Sequence, residues 1–149
     1  MAFKSHMDKA LVQARLAAER GEVPVGAVLI APDGQVAAAA GNRTRELNDP
    51  TAHAEMLVIR EACTALGSER LTGHDLYVTL EPCAMCAAAI AAARIRRVYY
   101  GASDPKSGGV AHGACVFSHP QAHHAPEVYE GIAEAEAAVL LKDFFAAKR

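Results

Sequence analysis

The sequence predicts one α/β domain over residues 1–149, in which helices cover the faces of a mixed or parallel sheet. Segments with apolar residues at helical spacing alternate along the chain with short runs of β-branched residues. Each crossover between parallel strands has to pack back onto the sheet, so this alternation favours a layered arrangement. The chain has 149 residues, of which 52% are hydrophobic, and this is enough apolar material for one core.

The first predicted element is an N-terminal helix. Ser5 followed by Asp8 has the pattern of a capping box, and Gly21 supplies a stop signal. Between them, apolar residues recur at helical spacing, and these are Met7, Leu11, Ala14 and Ala18.

A β-hairpin is expected next, followed by a polar loop. Val23 to Ile30 is apolar and rich in β-branched residues, Asp33-Gly34 is a turn dipeptide, and Gln35 to Ala40 can pair back as a second strand. The stretch from Gly41 to Pro50 is long for a connector and carries many side chains that can hydrogen-bond a ligand. We therefore predict that it is a substrate loop.

The remaining elements continue the alternation of helices and strands. Pro82 stands at the first turn of one of these helices, where its missing N–H costs nothing. Between the last strand and the last helix, the chain is rich in Gly, Pro and His and predicts irregular structure. The expected elements are a helix over Thr51 to Leu66, a strand over Asp75 to Leu80, a helix over Cys83 to Ala93, a strand over Val98 to Gly101 and a helix over Ala133 to Lys148.

Composition excludes several classes of protein. No apolar run approaches the roughly 20 residues of a membrane span, and no secretory signal precedes the first helix, so we expect a cytoplasmic protein with no membrane contact. The four cysteines do not form a disulfide scaffold in a chain of this size. The formal net charge of -2 gives no global attraction to nucleic acid, so any RNA contact must rest on local basic clusters.

Cys83 and Cys86 form a candidate metal pair. They are three residues apart at the start of a predicted helix, so both sulfurs project from one face of its first turn. The partial positive charge at a helix N-terminus also favours the thiolate form that metals bind. Zinc accepts sets of Cys and His ligands, and a site with three protein ligands leaves the fourth position for water, as in catalytic zinc sites.

His53 is the proposed third ligand, and Glu55 the proposed proton carrier. Two residues of separation on a regular helix would turn their side chains to nearly opposite faces, so we expect His53 at the helix entry. Glu55 heads an apolar, core-facing row at helical spacing, together with Ile59, Ala62 and Leu66. Burial would raise the pKa of this carboxyl group and a nearby zinc ion would oppose the rise, which suits a general acid and base.

A structural zinc module is the alternative interpretation of the same residues. In that case a fourth protein ligand, such as Cys63, Cys115 or another histidine, closes the tetrahedron and leaves no water to activate. Taken alone, Cys63 is expected to be a small residue of the hydrophobic core.

These motifs resemble those of a known family. His53-Ala54-Glu55 followed by Pro82-Cys83-Ala84-Met85-Cys86 is similar to the signature of the zinc-dependent cytidine and deoxycytidylate deaminase superfamily. Further runs extend the likeness to the bacterial tRNA-specific adenosine deaminases over nearly the whole chain. They are Glu22 to Val28, Gly41-Asn42-Arg43, Leu76 to Cys83, Ala93-Arg94-Ile95 and Asp143-Phe144-Phe145.

The resemblance implies a fold, a substrate and an assembly. The fold would be a cytidine-deaminase-like three-layer α/β/α sandwich around a central mixed five-stranded sheet. The chain would be a homodimer with one zinc ion per subunit, converting adenosine to inosine at the wobble position of a tRNA anticodon stem-loop. Residues that match the family's substrate pocket are Asn42, Leu80, Asp104 and Phe145, with His119 as a further candidate.

The family mechanism assigns one role to the metal and one to the carboxylate. Zinc acidifies its bound water so that hydroxide attacks C6 of the adenine. Glu55 takes the proton, delivers it to the ring nitrogen beside C6 and protonates the departing amino group, so that ammonia leaves. Because a stacked base cannot reach a recessed metal, the nucleotide must be splayed out of its loop.

Two other functions remain open at this point. A deaminase of free guanine, cytosine or cytidine would use the same zinc signature, and a non-catalytic RNA-binding partner would keep the fold and the metal without the chemistry. The cluster Arg94, Arg96 and Arg97 and the side chain of Lys106 can serve RNA binding, but cations at a helix end also offset the helix dipole.

Overall fold

The computed structural model describes residues 4–148 as a sheet flanked by helices. The strands are β1 (Gly26–Ile30), β2 (Val36–Gly41), β3 (Asp75–Leu80), β4 (Arg97–Ala102) and β5 (Glu127–Tyr129). The helices are α1 (Met7–Glu19), α2 (Ala54–Leu66), α3 (Ala84–Ala92) and α4 (Glu134–Ala147), and a single 3-10 turn spans Val116–Ser118. Within the described range, no helix combines the length and apolar character that crossing a membrane requires.

The five strands form one mixed sheet in the order β2-β1-β3-β4-β5. β1 pairs antiparallel with both β2 and β3, whereas β3, β4 and β5 run parallel. The β1–β2 hairpin turns at the predicted dipeptide, where Gly34 adopts a φ of 87° and Gln35 N–H donates to Asp33 Oδ1 at 3.0 Å. The predicted mixed five-stranded sheet is confirmed.

Each face of the sheet carries its own apolar layer. On one face, residues of α2 and α3 such as Val58 and Ile90 pack against Leu76 and Val78 of β3. On the other face, residues of α1 and α4 pack against Tyr77 of β3, because successive side chains of a strand point to opposite sides. The α/β/α sandwich is thus confirmed, and α2 and α3 lie side by side on the face that carries the site described below.

Glycine allows the sheet to approach α1 closely. A Cβ atom at Gly26 would overlap the backbone of α1 at Ala10 and Ala14, and one at Gly41 would overlap the carbonyl oxygen of Gln13. These two positions bring the hairpin directly against the helix backbone.

Three local expectations differ from the structure. The N-cap of α1 is His6 rather than Ser5, and Ser5 Oγ instead accepts the Met7 N–H at 3.1 Å. Leu66 does not continue the buried row of α2: it is the last residue of the helix and is 55% exposed. β5 was not located from the sequence, since it has only three residues and all of them are exposed.

Ala133 supplies a test of backbone strain. It precedes α4 with a φ of 57°, a left-handed conformation that costs a residue with a Cβ atom roughly 1–2 kcal/mol. We expect Ala133→Gly to raise the free energy of unfolding by about 1 kcal/mol, once the extra freedom of glycine in the unfolded chain is subtracted. Urea unfolding measures this change.

The matched control is Ala138→Gly, at an exposed position inside the same helix. There the backbone is right-handed, so the same substitution should lower the free energy of unfolding by about 1 kcal/mol. Equal losses from both variants would show that Ala133 carries no strain.

Candidate active site

The starts of α2 and α3 bring three possible metal ligands together. His53 is the N-cap of α2 and Cys83 the N-cap of α3, both with extended backbone, and Cys86 lies in the first turn of α3. The predicted position of His53 at the helix entry is therefore confirmed. From there its side chain faces the two sulfurs, whereas Glu55 begins the buried stripe of the helix.

The geometry of these three side chains fits a zinc ion. His53 Nδ1 lies 3.6 Å from Cys83 Sγ and 3.4 Å from Cys86 Sγ. Tetrahedral zinc with bonds of about 2.3 Å to sulfur and about 2.0 Å to nitrogen separates these ligand atoms by about 3.5 Å. The donor types and the spacing thus agree with a zinc site.

The cluster has three members in the part of the chain that the structure describes. The ligand atoms of His53, Cys83 and Cys86 all lie within 4.8 Å of one another, and neither Cys63 nor Cys115 joins them. Cys63 packs at the edge of the core, as expected for a small apolar residue. Three protein donors leave one tetrahedral position open, which is the arrangement of catalytic rather than structural zinc.

The cluster is electrostatically prepared for a cation. Hydrogen bonds from Cys86 and His53 lower the pKa of the Cys83 thiol to about 4, and the ionised Cys83 in turn raises the pKa of Cys86. The hydrogen bond between His53 and the Cys83 sulfur raises the pKa of His53. The pair therefore holds one thiolate readily, and the second ionises only when a cation offsets the added negative charge.

Glu55 is buried with an unsatisfied oxygen atom. The residue is 3% exposed, and its Oε1 has no hydrogen-bond partner among the described residues. Burial is the main cause that raises the pKa of this carboxyl group. An unpartnered buried carboxyl oxygen is costly for folding, which points to a partner supplied by a ligand.

Glu55 and two of the metal donors open into one cavity of about 220 Å³. Pockets for drug-sized ligands measure roughly 300–1,000 Å³, so this cavity suits a group about the size of one base. Its lining residues are Val23, Val25, Asn42, Thr44, His53, Glu55, Leu80, Glu81, Cys83, Asp104 and Ser107. A larger cavity of about 780 Å³ between α1, β2 and α2 contains none of these residues.

The structure brings together three of the five predicted substrate residues. Asn42, Leu80 and Asp104 line the cavity, whereas Phe145 and His119 do not. Phe145 is 49% exposed on α4, and His119 borders a separate groove along α3. Asn42 also has a structural contact, because its Oδ1 accepts the Ala54 N–H at 2.8 Å at the start of α2.

Sequence reasoning gave no role to two buried carboxylates that hold the cavity walls. Glu22 accepts the N–H groups of Arg45 and Glu46 at 3.1 and 2.8 Å, in the predicted substrate loop. Glu81 accepts N–H groups from the segment that contains Asp104. Burial alone would raise the pKa of both groups, but these hydrogen bonds bring each below its usual value. Both residues lie in the motif runs, yet their partners are distant in sequence and leave no local signal.

The basic cluster lies away from the cavity. Arg96 makes a bidentate pair with Asp75 at 3.0 and 2.8 Å at the start of β3, and Arg97 pairs with Glu127. Glu81 follows the other end of β3, about 20 Å away at strand spacing. Arg94 donates to the carbonyls of Ala91 and Ala92 at the end of α3. These contacts favour structural roles over RNA binding: Arg94 caps the end of the helix, as the sequence allowed, and Arg96 and Arg97 form ion pairs that the sequence did not reveal.

Comparison with known proteins adds sequence and structural likeness to this geometry. Residues 2–102 match the model of the cytidine and deoxycytidylate deaminase zinc-binding region. A tRNA-specific adenosine deaminase from Agrobacterium fabrum is 65% identical over 150 aligned residues, which span 100% of this chain and 98% of that protein.

Two solved structures differ in how closely they match. One, from work on A-to-I editing by tRNA:A34 deaminases at the wobble position of transfer RNA, superposes with a TM-score of 0.89 at 67% identity, covering 91% of this chain and 97% of its own. A guanine deaminase from Bacillus subtilis superposes with a TM-score of 0.66 at 30% identity, covering 99% of this chain and 94% of its own. The likeness to the first is greater in both sequence and structure.

Proposed function

This chain belongs to the cytidine and deoxycytidylate deaminase family and, within it, to the tRNA-specific adenosine deaminases, and we propose that it hydrolyses adenosine to inosine at the wobble position of a tRNA anticodon loop. The observation that carries the proposal is the buried, unpartnered Glu55 oxygen beside a three-donor cluster in a base-sized cavity. A zinc site with an open position and a neighbouring proton carrier is what hydrolytic deamination needs.

His53, Cys83 and Cys86 would hold the zinc ion. When bound, zinc supplies a Lewis acid that lowers the pKa of a water molecule toward neutrality. The two helix N-termini that carry Cys83 and His53 add partial positive charge and so favour the thiolate ligands. This set rests on the distances of 3.4 and 3.6 Å between the histidine nitrogen and the sulfurs.

Glu55 would move the protons of the reaction. Its carboxylate takes a proton from the attacking water and delivers it to the ring nitrogen beside C6, which makes that carbon electrophilic. The same carboxyl group then carries the remaining hydroxyl proton to the amino group, so the C–N bond breaks, the new carbonyl forms, one water is consumed and one ammonia leaves. The burial that raises the pKa of Glu55 helps it to hold each proton between its uptake and its delivery.

The size of the cavity implies that a single base enters it. Adenine in an anticodon loop would have to be splayed out of its stack, with Asn42, Leu80 and Asp104 as walls of the pocket. Phe145 and His119 lie outside the cavity, so a substrate role for them concerns the RNA around the flipped base. Lys106 is exposed beside Asp104 in a segment that lines the cavity, and we infer that it contacts a phosphate.

We also infer that the protein works as a homodimer in the cytoplasm. An apolar groove between α3 and the segment after β4 supports the dimer, since a second copy would cover its alanine-rich face. The proposed tRNA substrate supports the cytoplasmic location, because the enzyme has to meet tRNA where tRNA is used.

The deciding experiment compares substrates for the purified zinc-loaded protein. We expect inosine to form on an anticodon stem-loop with a wobble adenosine, at least about a hundredfold faster than any reaction of free adenosine, cytidine, cytosine or guanine. Chromatography of nuclease-digested products gives the rates. A stem-loop with guanosine at the wobble position is the matched control and should yield no product.

A free-base deaminase is the second candidate function. The 30% identity to a guanine deaminase over nearly the whole chain favours guanine among the free bases. If guanine reacts and the stem-loop does not, the substrate assignment is wrong while the proposed roles of the zinc ligands and Glu55 stand. If no substrate reacts, the non-catalytic interpretation gains support.

A further inference from the structure

One carboxylate outside the reaction collects an unusual number of hydrogen bonds. Glu81 follows β3 directly, and its side chain is 0% exposed. Its Oε1 accepts the Asp104 N–H at 3.0 Å and lies 2.7 Å from His112 Nδ1. Its Oε2 accepts the N–H groups of Val110, Ala111 and His112 at 3.2, 3.0 and 3.1 Å. Every one of these partners comes from a single segment, 104–112.

That segment forms one wall of the cavity. Asp104 and Ser107 line the cavity, and the Ser107 N–H donates to Asp104 Oδ1 at 3.0 Å. The position of the Asp104 side chain therefore depends on the path of the loop. Both ends of the loop are tied to Glu81, and Ser107 between them lines the cavity.

Two glycines press the same segment against the start of α3. A Cβ atom at Gly108 would overlap the Glu81 carboxylate, and one at Gly109 would overlap the backbone of Cys83 and Ala84. The Gly109 N–H also donates to the Pro82 carbonyl at 2.8 Å. The loop is thus packed on the turn that presents a metal donor, with Glu81 between the two.

We infer that Glu81 is a positioning residue, which holds the 104–112 segment at a set distance from the start of α3 and so places the Asp104 wall relative to the metal donors. This inference rests on the proposed function only for the identity of the substrate. A buried charge is costly unless it is fully paired, and an apolar side chain would fill a core more cheaply. A carboxylate whose partners all lie in one loop is therefore explained by its hold on that loop.

Glu81→Gln tests the inference with little change in shape. Each carboxylate oxygen accepts at least one backbone N–H, so either orientation of the amide puts an NH2 group against an N–H group. We expect the loop to shift and kcat/KM on the stem-loop to fall by about a hundredfold, the loss that a displacement of about 1 Å can cause. The zinc content should stay at one per chain. Loss of zinc from folded Glu81→Gln protein would overturn the inference, because the residue would then act on the metal site.

A double-mutant cycle separates positioning from general stabilisation. In a background that already carries Asp104→Ala and Ser107→Ala, the wall has no side chains left to place, so adding Glu81→Gln should cost less than about threefold. A further loss of about a hundredfold in that background would show that Glu81 acts elsewhere. The matched control is Asp75→Asn, which removes the ion pair between Asp75 and Arg96 at the far end of β3. This variant should leave kcat/KM within about twofold.

His112→Ala covers the case in which Glu81→Gln does not fold. This substitution removes the imidazole of His112, which is partly exposed and contacts the Glu81 carboxylate. Hydrogen exchange of the amides in 104–112 should become faster, and kcat/KM should fall about fivefold. Unchanged exchange with unchanged kcat/KM would overturn the inference. If wild-type protein acts on free guanine rather than the stem-loop, the proposed function fails, and the same variants decide the role of Glu81 on guanine.

Discussion

Glu55→Gln is expected to reduce kcat for inosine formation by at least about a thousandfold, which corresponds to about 4 kcal/mol of lost transition-state stabilisation. The amide has the shape of the carboxyl group but cannot take up and release the proton that the reaction moves twice. Because Glu55 is absent from the three-donor cluster, zinc content should remain at one per chain. Single-turnover kinetics on the stem-loop, with metal analysis of the same sample, measures both quantities.

The stability of this variant sharpens the test. Glu55 Oε1 is buried and has no hydrogen-bond partner within residues 4–148, so replacing a potential charge with a neutral amide should not lower the melting temperature. Glu61→Gln, the same change on the exposed side of α2, is the control and should retain full activity. A Glu55→Gln protein that keeps more than a tenth of wild-type kcat would contradict the assigned role.

Cys86→Ser is expected to weaken zinc binding by at least about a hundredfold and to remove activity with it. Loss of a residue that merely supports a ligand commonly costs 10- to 100-fold in metal affinity, so loss of a ligand should cost at least the upper figure. Cys86 is 0% exposed, and serine offers a harder oxygen in place of the soft thiolate. Competition with a fluorescent zinc chelator measures the affinity.

Metal removal should also reveal how far zinc supports the fold. With free zinc about a thousandfold above its dissociation constant, binding adds about 4 kcal/mol to the stability of the folded state. For a chain of this length, chelation should lower the melting temperature by roughly 8–16 °C. Cys63→Ser is the control and should keep both zinc and activity. Equal zinc loss from Cys63→Ser and Cys86→Ser would mean that the proposed ligand set is wrong.

The elements that sequence predicted well are those with strong local signals. β3 has the expected bounds of Asp75 to Leu80, and α2, α3 and α4 differ from expectation by a few residues at their ends. In each case the signal is local, because the periodic spacing of apolar residues lies within the element itself. β5 shows the opposite case, because three exposed residues have no alternation of apolar and polar side chains that would mark a strand. This segment becomes a strand by pairing with the edge of β4.

The site divides along the same line. The pairing of Cys83 with Cys86 follows from their spacing at the start of a helix. The grouping of His53 with these cysteines came from the resemblance to the deaminase signature. The roles of Arg96 and Arg97 could not, because their partners Asp75 and Glu127 are remote in sequence. Sequence alone left an offset of the helix dipole and RNA binding equally open for these side chains.

What the sequence determined by itself was the chemistry: which residue types can bind zinc, which carboxylate can move a proton and which periodicity buries them. Those properties depend on residue type and on the direction that helix and strand geometry sets over a few residues. Only the tertiary structure decided the shape and size of the cavity, the exclusion of Phe145 from its lining and the hold of Glu81 on the loop that carries Asp104. Each of these depends on contacts between distant segments, and chain packing around the whole core sets such contacts.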